Sequence, residues 1–213
     1  VKEMFNSINR FPLAAIPFFI LAGNLMETGG ISRRLVEFAK SIVGGVQGGL
    51  PMTCVLTCMI FAAVSGSSVA TTFAIGAILI PALIKHGYPR GWAASLQATS
   101  AELGVVIPPS IPMILFALSS NASIASLFVA GVMPGLLMCG GFMAACWWVG
   151  KRRNFPRETA AFDGVAFRRH LKYAAPAVVL PVLIIIFLRF GIATPTEVAV
   201  LSTLYAGLVS AVI

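Results

Sequence analysis

The chain has 213 residues, of which 58% are hydrophobic and only 10% charged, and it carries a net charge of +8. A soluble domain carries about 25% charged residues, so this composition points away from a soluble fold and towards an all-α polytopic membrane protein. Its basic residues sit in short clusters between apolar runs, without interleaved aromatics, which reads as a positive-inside bias and speaks against nucleic acid.

Val1 is not a start methionine, and no charged segment, apolar run and cleavage site follow it in that order. Leu208 to Ile213 stops inside an apolar run, so a fragment of a longer polypeptide is expected. Phe11 to Met26 reads as a spanning helix ended by Gly29-Gly30, although about 16 apolar-rich residues are short against the ~20 a bilayer needs. Ile31 to Ile42 sets Arg33, Arg34, Glu37 and Lys40 against Leu35, Phe38, Ala39 and Ile42. That is the pattern of a helix lying in the membrane interface, or of a solvated loop helix.

Leu50 to Val64 and Ala70 to Ile84 are apolar runs of about 15 residues, each below a full span. Ser65-Gly66-Ser67-Ser68 separates them, and Thr71 and Thr72 follow. The pair is either a re-entrant hairpin with a polar tip or two ordinary spans with a polar break. Trp92 to Leu118 then crosses once, broken at Pro108-Pro109, and Ser119 to Ser123 is an uncharged connection. Ile124 to Val149 returns to a loop, 151–172, with Lys151, Arg152, Arg153, Arg157, Arg168, Arg169 and Lys172. Ala174 to Phe190 crosses with mild kinks at Pro176 and Pro181, Gly191 to Glu197 turns, and Glu197 to Ile213 begins a last crossing. Glu197 favours that helix start through its dipole. A hairpin places Arg33, Arg34, Lys40, Lys85 and Arg90 with the later cluster, twelve of the fifteen basic residues on one face, and leaves Lys2, Arg10 and Arg189. The positive-inside rule favours that arrangement and makes the gathered face cytoplasmic.

The chemistry concentrates in Ala101 to Met113. Pro108, Pro109 and Pro112 have no N–H, so they deprive the carbonyls of Gly104, Val105 and Pro108 of helical donors. Carbonyls at membrane depth are tolerated where they line a cavity or meet a ligand. With the Ser110 hydroxyl they make a nest for a small hard cation, the alternative being a proline kink patched by neighbouring helices. The tip Ser65-Gly66-Ser67-Ser68 adds hydroxyls and a flexible backbone, or simply lets helices approach. Sodium suits such oxygen donors. Glu102 is the one carboxylate in this span, a candidate proton relay or cation ligand by default, or a residue facing a water-filled crevice. Cys54, Cys58, Cys139 and Cys146 lack His, Asp or Glu neighbours for zinc and read as small buried hydrophobes. His86 and His170 fall in the basic loops. Ser65 or Ser67 would therefore lack a base for intramembrane hydrolysis, and no charged ring or aromatic filter marks a channel. Trp92, Trp147 and Trp148 suit interfacial anchors.

Several motifs in order resemble the large membrane subunit of TRAP transporters, the DctM-type permease, along essentially the whole chain. They are Ile16-Pro-Phe-Phe-Ile-Leu-Ala-Gly-Asn-Leu-Met26, Gly29 to Leu35, Val64-Ser-Gly-Ser-Ser-Val-Ala70, Ile80-Pro-Ala82 with Gly87-Tyr-Pro89, Ile107 to Met113, Ala130-Gly-Val-Met-Pro-Gly135 and Thr194-Pro-Thr-Glu197.

The resemblance implies a sodium-coupled importer of organic anions, such as C4-dicarboxylates or sialic acid, in a bacterial or archaeal cytoplasmic membrane, and no enzyme. It implies a small membrane subunit and an extracytoplasmic binding protein as partners. The implied fold is two inverted repeats, each with a re-entrant hairpin and a broken helix, moving as an elevator. Residues 1–48 would be a scaffold helix and an interfacial helix, 49–118 the first hairpin and discontinuous helix, and 119–150 a transmembrane helix. Residues 151–172 would be a basic cytoplasmic loop and 173–213 the start of the second repeat. Ser65, Gly66, Ser67 and Ser68 would match the first hairpin tip, and Pro108, Pro109 and Ser110 the break of the first discontinuous helix. Together they would hold one sodium ion and one half of the substrate site. The family subunit is about twice this length, so the second hairpin is expected elsewhere. Glu102 stands where small neutral side chains are familiar, which points to a subfamily or to added proton coupling. A carrier that needs no binding protein, a channel and an intramembrane serine hydrolase are the competing readings.

Overall fold

A helix that is apolar on every face sits inside protein or inside lipid, and Gly49–Ser65 takes the first place, at the centre of the structure. Fourteen of its 17 residues are buried. The computed structural model describes residues 11–153, 155 and 164–212, so Lys2, Arg10 and Arg157 lie outside the described residues. A 3₁₀ turn (Phe11–Ala14) leads into α1 (Ala15–Thr28), followed by α2 (Ile31–Val43), the central α3 (Gly49–Ser65), α4 (Ser68–Lys85) and α5 (Arg90–Ala101). Then come a single turn, α6 (Leu103–Val106), and α7 (Ile111–Ser120), α8 (Ile124–Arg152), α9 (Gly164–Arg189) and α10 (Pro195–Val212).

Four helical stretches among the described residues are long and apolar enough to cross a membrane: Phe11–Thr28, Ser68–Lys85, Ile124–Arg152 and Phe167–Arg189. The pair Arg90–Val106 and Ile111–Ser120, bent by 43°, makes a fifth if it counts as one span. Around α3 pack α1, α2, α4, α5, α6, α8 and α9, while α10 lies along α1. The hydroxyls of Thr203 and Ser210 donate to the Phe18 and Leu25 carbonyls at 2.8 and 2.9 Å and fix that last pair.

Gly29 caps α1, and Gly30, at φ +71°, turns the chain into α2. On α2, Ile31, Leu35, Phe38, Ala39 and Val43 are buried while Arg33 and Glu37 are exposed, as the amphipathic pattern requires. Ile42 departs from that pattern: it is 43% exposed instead of lying on the packed face.

Two boundaries differ from the sequence expectation. The Ser67 side chain accepts the Ala70 N–H at 3.3 Å and starts α4 at Ser68, so α4 has 18 residues and is long enough to span. Helix length therefore does not separate a re-entrant hairpin from two spans. At the other end, α9 begins at Gly164, about three turns before Ala174. Arg168, Arg169 and Lys172 thus stand on its first turns instead of in a loop 151–172. The apolar run ends where charge begins, but the helix does not: Phe167 still packs on Phe38, with ring centroids 5.9 Å apart.

Aromatics cluster at the basic ends. Lys151 lies over Trp147 and Arg152 over Trp148, each at 5.4 Å. Trp92 stacks on Tyr88 beside Phe155. All four cysteines are buried free thiols.

Candidate functional site

Two helix interruptions come together in the interior. The first arises because Gly66 adopts φ +64° and ends α3, after which the extended Ser67 caps α4. The second arises at Ile107 to Ser110, where two prolines cannot extend a helix and Ser110 is extended as the N-cap of α7. Each interruption sets a helix C-terminus, with its outward carbonyls, beside a helix N-terminus, with its outward N–H groups.

The two interruptions touch through backbone. The Gly66 carbonyl accepts the Ile111 N–H at 3.1 Å. A Cβ on Gly66 would stand 2.7 Å from the Pro109 oxygen, and one on Gly104 would stand 3.0 Å from the Ser68 nitrogen and 3.1 Å from the Ser67 carbonyl carbon. Gly66, Ser67 and Ser68 are thereby brought against Gly104, Pro109 and Ser110, while Ser65 faces Gly23 and Thr71. Pro108 is buried too, but it lines an apolar cavity of about 230 Å³ with Met59, Ile60, Val132 and Val178.

The carbonyl of Val105, deprived by Pro109, is not bare as the sequence suggested. Ser110, fully buried, donates its hydroxyl to it at 2.6 Å. This joins Val105 to the cluster. A carbonyl oxygen has two lone pairs, so Val105 and Gly66 each keep one acceptor position beyond these bonds. At the tip, Thr71 donates to the Ser67 carbonyl and Thr72 to the Ser68 carbonyl, each at 2.8 Å. With the Thr71 proton so committed, Ser65 is the donor in the 3.4 Å contact between the Ser65 and Thr71 hydroxyls. The donor set is oxygen only: hydroxyls and carbonyls. Among the described residues no three His, Cys, Asp or Glu side chains gather as metal ligands. Such a set suits a hard cation and offers nothing to zinc.

Glu102 lies elsewhere. It sits at the joint of α5 and α6 with its side chain exposed, and its backbone carbonyl accepts the Val105 N–H at 2.9 Å. His86 is no base for Ser65 or Ser67. It follows the far end of α4, about 27 Å along an 18-residue helix from the tip, and its Nδ1 lies 2.8 Å from the Ala82 carbonyl.

Three supporting residues were not singled out from sequence for this role. Gln97, 1% exposed, donates from Nε2 to the Thr71 carbonyl at 3.2 Å and accepts the Cys54 thiol at 3.1 Å, tying α5 to α3 and α4. Its signal was available, as a long amide inside an apolar span. Thr71, noted only as a neighbour of the tip, proves to hold it from within. Gly23 admits Ser65, whose Cβ would lie 2.9 Å from a Cβ placed on that glycine. That approach is long-range and leaves no local pattern.

A chain all-helical over its described residues, with several apolar spans and two helix interruptions joined at their breaks, belongs to the class of polytopic membrane proteins, and paired breaks of this kind mark secondary transporters. The comparisons narrow the class. Residues 1–213 match the family described as "Tripartite ATP-independent periplasmic transporter, DctM component", and the chain belongs to that family. It is 40% identical to the C4-dicarboxylate TRAP transporter large permease protein DctM of Rhodobacter capsulatus, over 98% of this chain and 50% of the relative. It is 41% identical to the 2,3-diketo-L-gulonate TRAP transporter large permease protein YiaN of Escherichia coli, over 100% of this chain and 50% of the relative. The isethionate TRAP transporter permease protein DctMQ of Oleidesulfovibrio alaskensis is 41% identical, over 94% of this chain and 32% of the relative. The chain thus spans half the length or less of these relatives. They are transporter permeases rather than enzymes.

Proposed function

We propose that this chain forms the first half of a sodium-coupled importer of organic anions in a bacterial cytoplasmic membrane. The observation that carries the reading is the meeting of the two helix breaks at Gly66 and Pro109–Ile111. The C-terminal ends of α3 and α6 offer carbonyls to a cation, and the N-terminal ends of α4 and α7 offer N–H groups and positive dipole ends to a carboxylate. One place can therefore take a sodium ion and an anionic group together, each favouring the other's binding.

In this reading α3 and α4 form a re-entrant hairpin, and hairpin and broken helix move as one body in an elevator-like step. Their backbone contacts support motion as a unit. The charge distribution supports the hairpin, because it collects the basic clusters on the cytoplasmic face. Sodium serves as co-substrate, held by the oxygens of the tip and of Gly104, Val105 and Ser110. The other half of the substrate site comes from the second repeat. The family's description as tripartite and periplasmic supports a small membrane subunit and an extracytoplasmic binding protein as partners. Three relatives whose names carry three different anions show that this half does not by itself name the substrate.

Uptake of radiolabelled organic acids into proteoliposomes holding the full-length permease and its partners, with and without a sodium gradient, tests this. Saturable uptake that needs both sodium and the binding protein is the expected result. Uptake indifferent to sodium and driven by a pH gradient would overturn it.

A further inference from the structure

Where α1 turns into α2 and meets α9 there is an open cavity of about 580 Å³. It is lined by the Gly29-Gly30 turn, Arg33, Arg34, Glu37, His170 and Tyr173. Glu37, one turn along from Arg33, is the only carboxylate among the lining residues. Two guanidinium groups line the cavity with it. The Arg34 guanidinium lies over the Tyr173 ring, 5.5 Å from the centroid, which holds the planar head against the cavity wall. Arg169 and Lys172, exposed on the same turns of α9 as His170 and Tyr173, add to the positive potential around it.

The level of the cavity identifies its ligand. It opens where the apolar stretch Phe11–Thr28 ends and Phe167–Arg189 begins, that is, where two candidate spans leave the hydrocarbon. Amphipathic α2 begins at the Gly29-Gly30 turn, with its apolar face packed and Arg33 outward. Half-exposed Tyr173 gives the cavity wall an aromatic surface. A basic pocket between membrane helices at headgroup depth on the cytoplasmic side is suited to an anionic lipid.

We propose that this cavity binds the phosphate of an anionic phospholipid from the cytoplasmic leaflet, with Arg33 and Arg34 as its chief ligands. A guanidinium fork suits phosphate oxygens, and exposed Arg33 can meet them with two N–H donors. The bound lipid would clamp α2 to α9, two elements that pack on the central α3. This inference rests on the membrane placement of the chain and not on sodium coupling or on any substrate.

The test is native mass spectrometry of the full-length permease in detergent, titrated separately with phosphatidylglycerol, phosphatidylcholine and inorganic phosphate. Phosphatidylglycerol should be retained in preference to phosphatidylcholine, and excess inorganic phosphate should not displace it. Arg33→Gln, at an exposed position that folding does not need, should weaken retention about fivefold, and Arg33→Gln with Arg34→Gln by about that factor again. Lys151→Gln with Arg152→Gln, basic residues of α8 outside the cavity, should leave retention unchanged. Equal retention of the two lipids, or an equal loss in the α8 variant, would overturn the proposal. Displacement by inorganic phosphate would do so as well, by making the site one for free phosphate. The readout involves no transport, so a failure of the sodium-coupled reading leaves its result intact.

Discussion

The Gly66 carbonyl accepts the Ile111 N–H at 3.1 Å, a bond between the tip joining α3 to α4 and the first residue of α7. It satisfies one of the N–H groups left over at the start of α7. It also makes two breaks, more than forty residues apart in sequence, into one structural unit.

Replacing Gly66 tests that unit. Alanine there would hold φ near +64° and drive its Cβ to 2.7 Å from the Pro109 oxygen, a backbone atom that cannot swing away. The left-handed conformation costs about 1–2 kcal/mol, and the clash adds about 1–3 kcal/mol. Gly30→Ala, at φ +71° with nothing within 4 Å of its Cβ, carries only the first cost. Thermal unfolding should rank Gly66→Ala well below Gly30→Ala, and only Gly66→Ala should abolish uptake. Equal effects of the two would mean that the breaks do not depend on their close contact.

Ser110→Ala separates a structural role from a ligand role. The hydroxyl donates at 2.6 Å to a carbonyl that Pro109 has deprived of its helical partner. Its loss should cost about 1–3 kcal/mol even without sodium, the penalty of a buried unsatisfied acceptor. If sodium also binds here, the wild type gains about 2.7 kcal/mol at a hundred times the dissociation constant. The variant should lose most of that gain. Unfolding midpoints across a sodium titration, with potassium as the control, read both effects. A variant whose sodium-dependent gain is intact would remove Ser110 from the cation site.

The breaks were legible in the sequence because glycine and proline change what the backbone can do locally, whatever surrounds them. Ser65 to Ser68 and Pro108 to Ser110 could thus be found without a partner in view. The contact of Gly104 with Ser67 and Ser68 could not, because it depends on where two distant segments lie. The early start of α9 was hidden by Arg168, Arg169 and Lys172, which interrupt the apolar run while remaining good helix formers. The Ser110 bond to Val105 was missed for another reason. Counting lost helical donors finds orphaned carbonyls but not the side chain that re-satisfies them.

Gln97 and Glu102 are five residues apart and should behave oppositely. Gln97 is buried and bonds to both α3 and α4, so Gln97→Ala leaves partners unsatisfied and a void behind. A loss of about 1–3 kcal/mol is expected. Glu102 is exposed, and Glu102→Gln should alter stability by no more than about 0.5 kcal/mol. Sodium-driven uptake should survive Glu102→Gln. Loss of uptake with unchanged stability would instead make Glu102 a coupling carboxylate and favour a proton gradient.

The start of α10 should depend on pH through Glu197. Its carboxylate accepts the Thr194 N–H at 2.7 Å and the Thr194 hydroxyl at 2.8 Å, while the Glu197 N–H bonds back to that hydroxyl. This is the reciprocal arrangement of a capping box. The Thr194 N–H, and after it the hydroxyl, hold the Glu197 carboxyl below the usual carboxylate range. Because the folded value is the lower one, the cap contributes fully above the unfolded value and is lost as pH falls through the folded value. Glu197→Ala should therefore reduce amide protection in the first turn of α10 at neutral pH. Wild type and variant should converge once the medium is acidic enough to protonate the capped carboxyl. Hydrogen exchange across a pH series, referenced to each pH's intrinsic rate, reads this directly. No difference between the two proteins at any pH would show that packing against α1, and not the carboxylate cap, fixes the helix start.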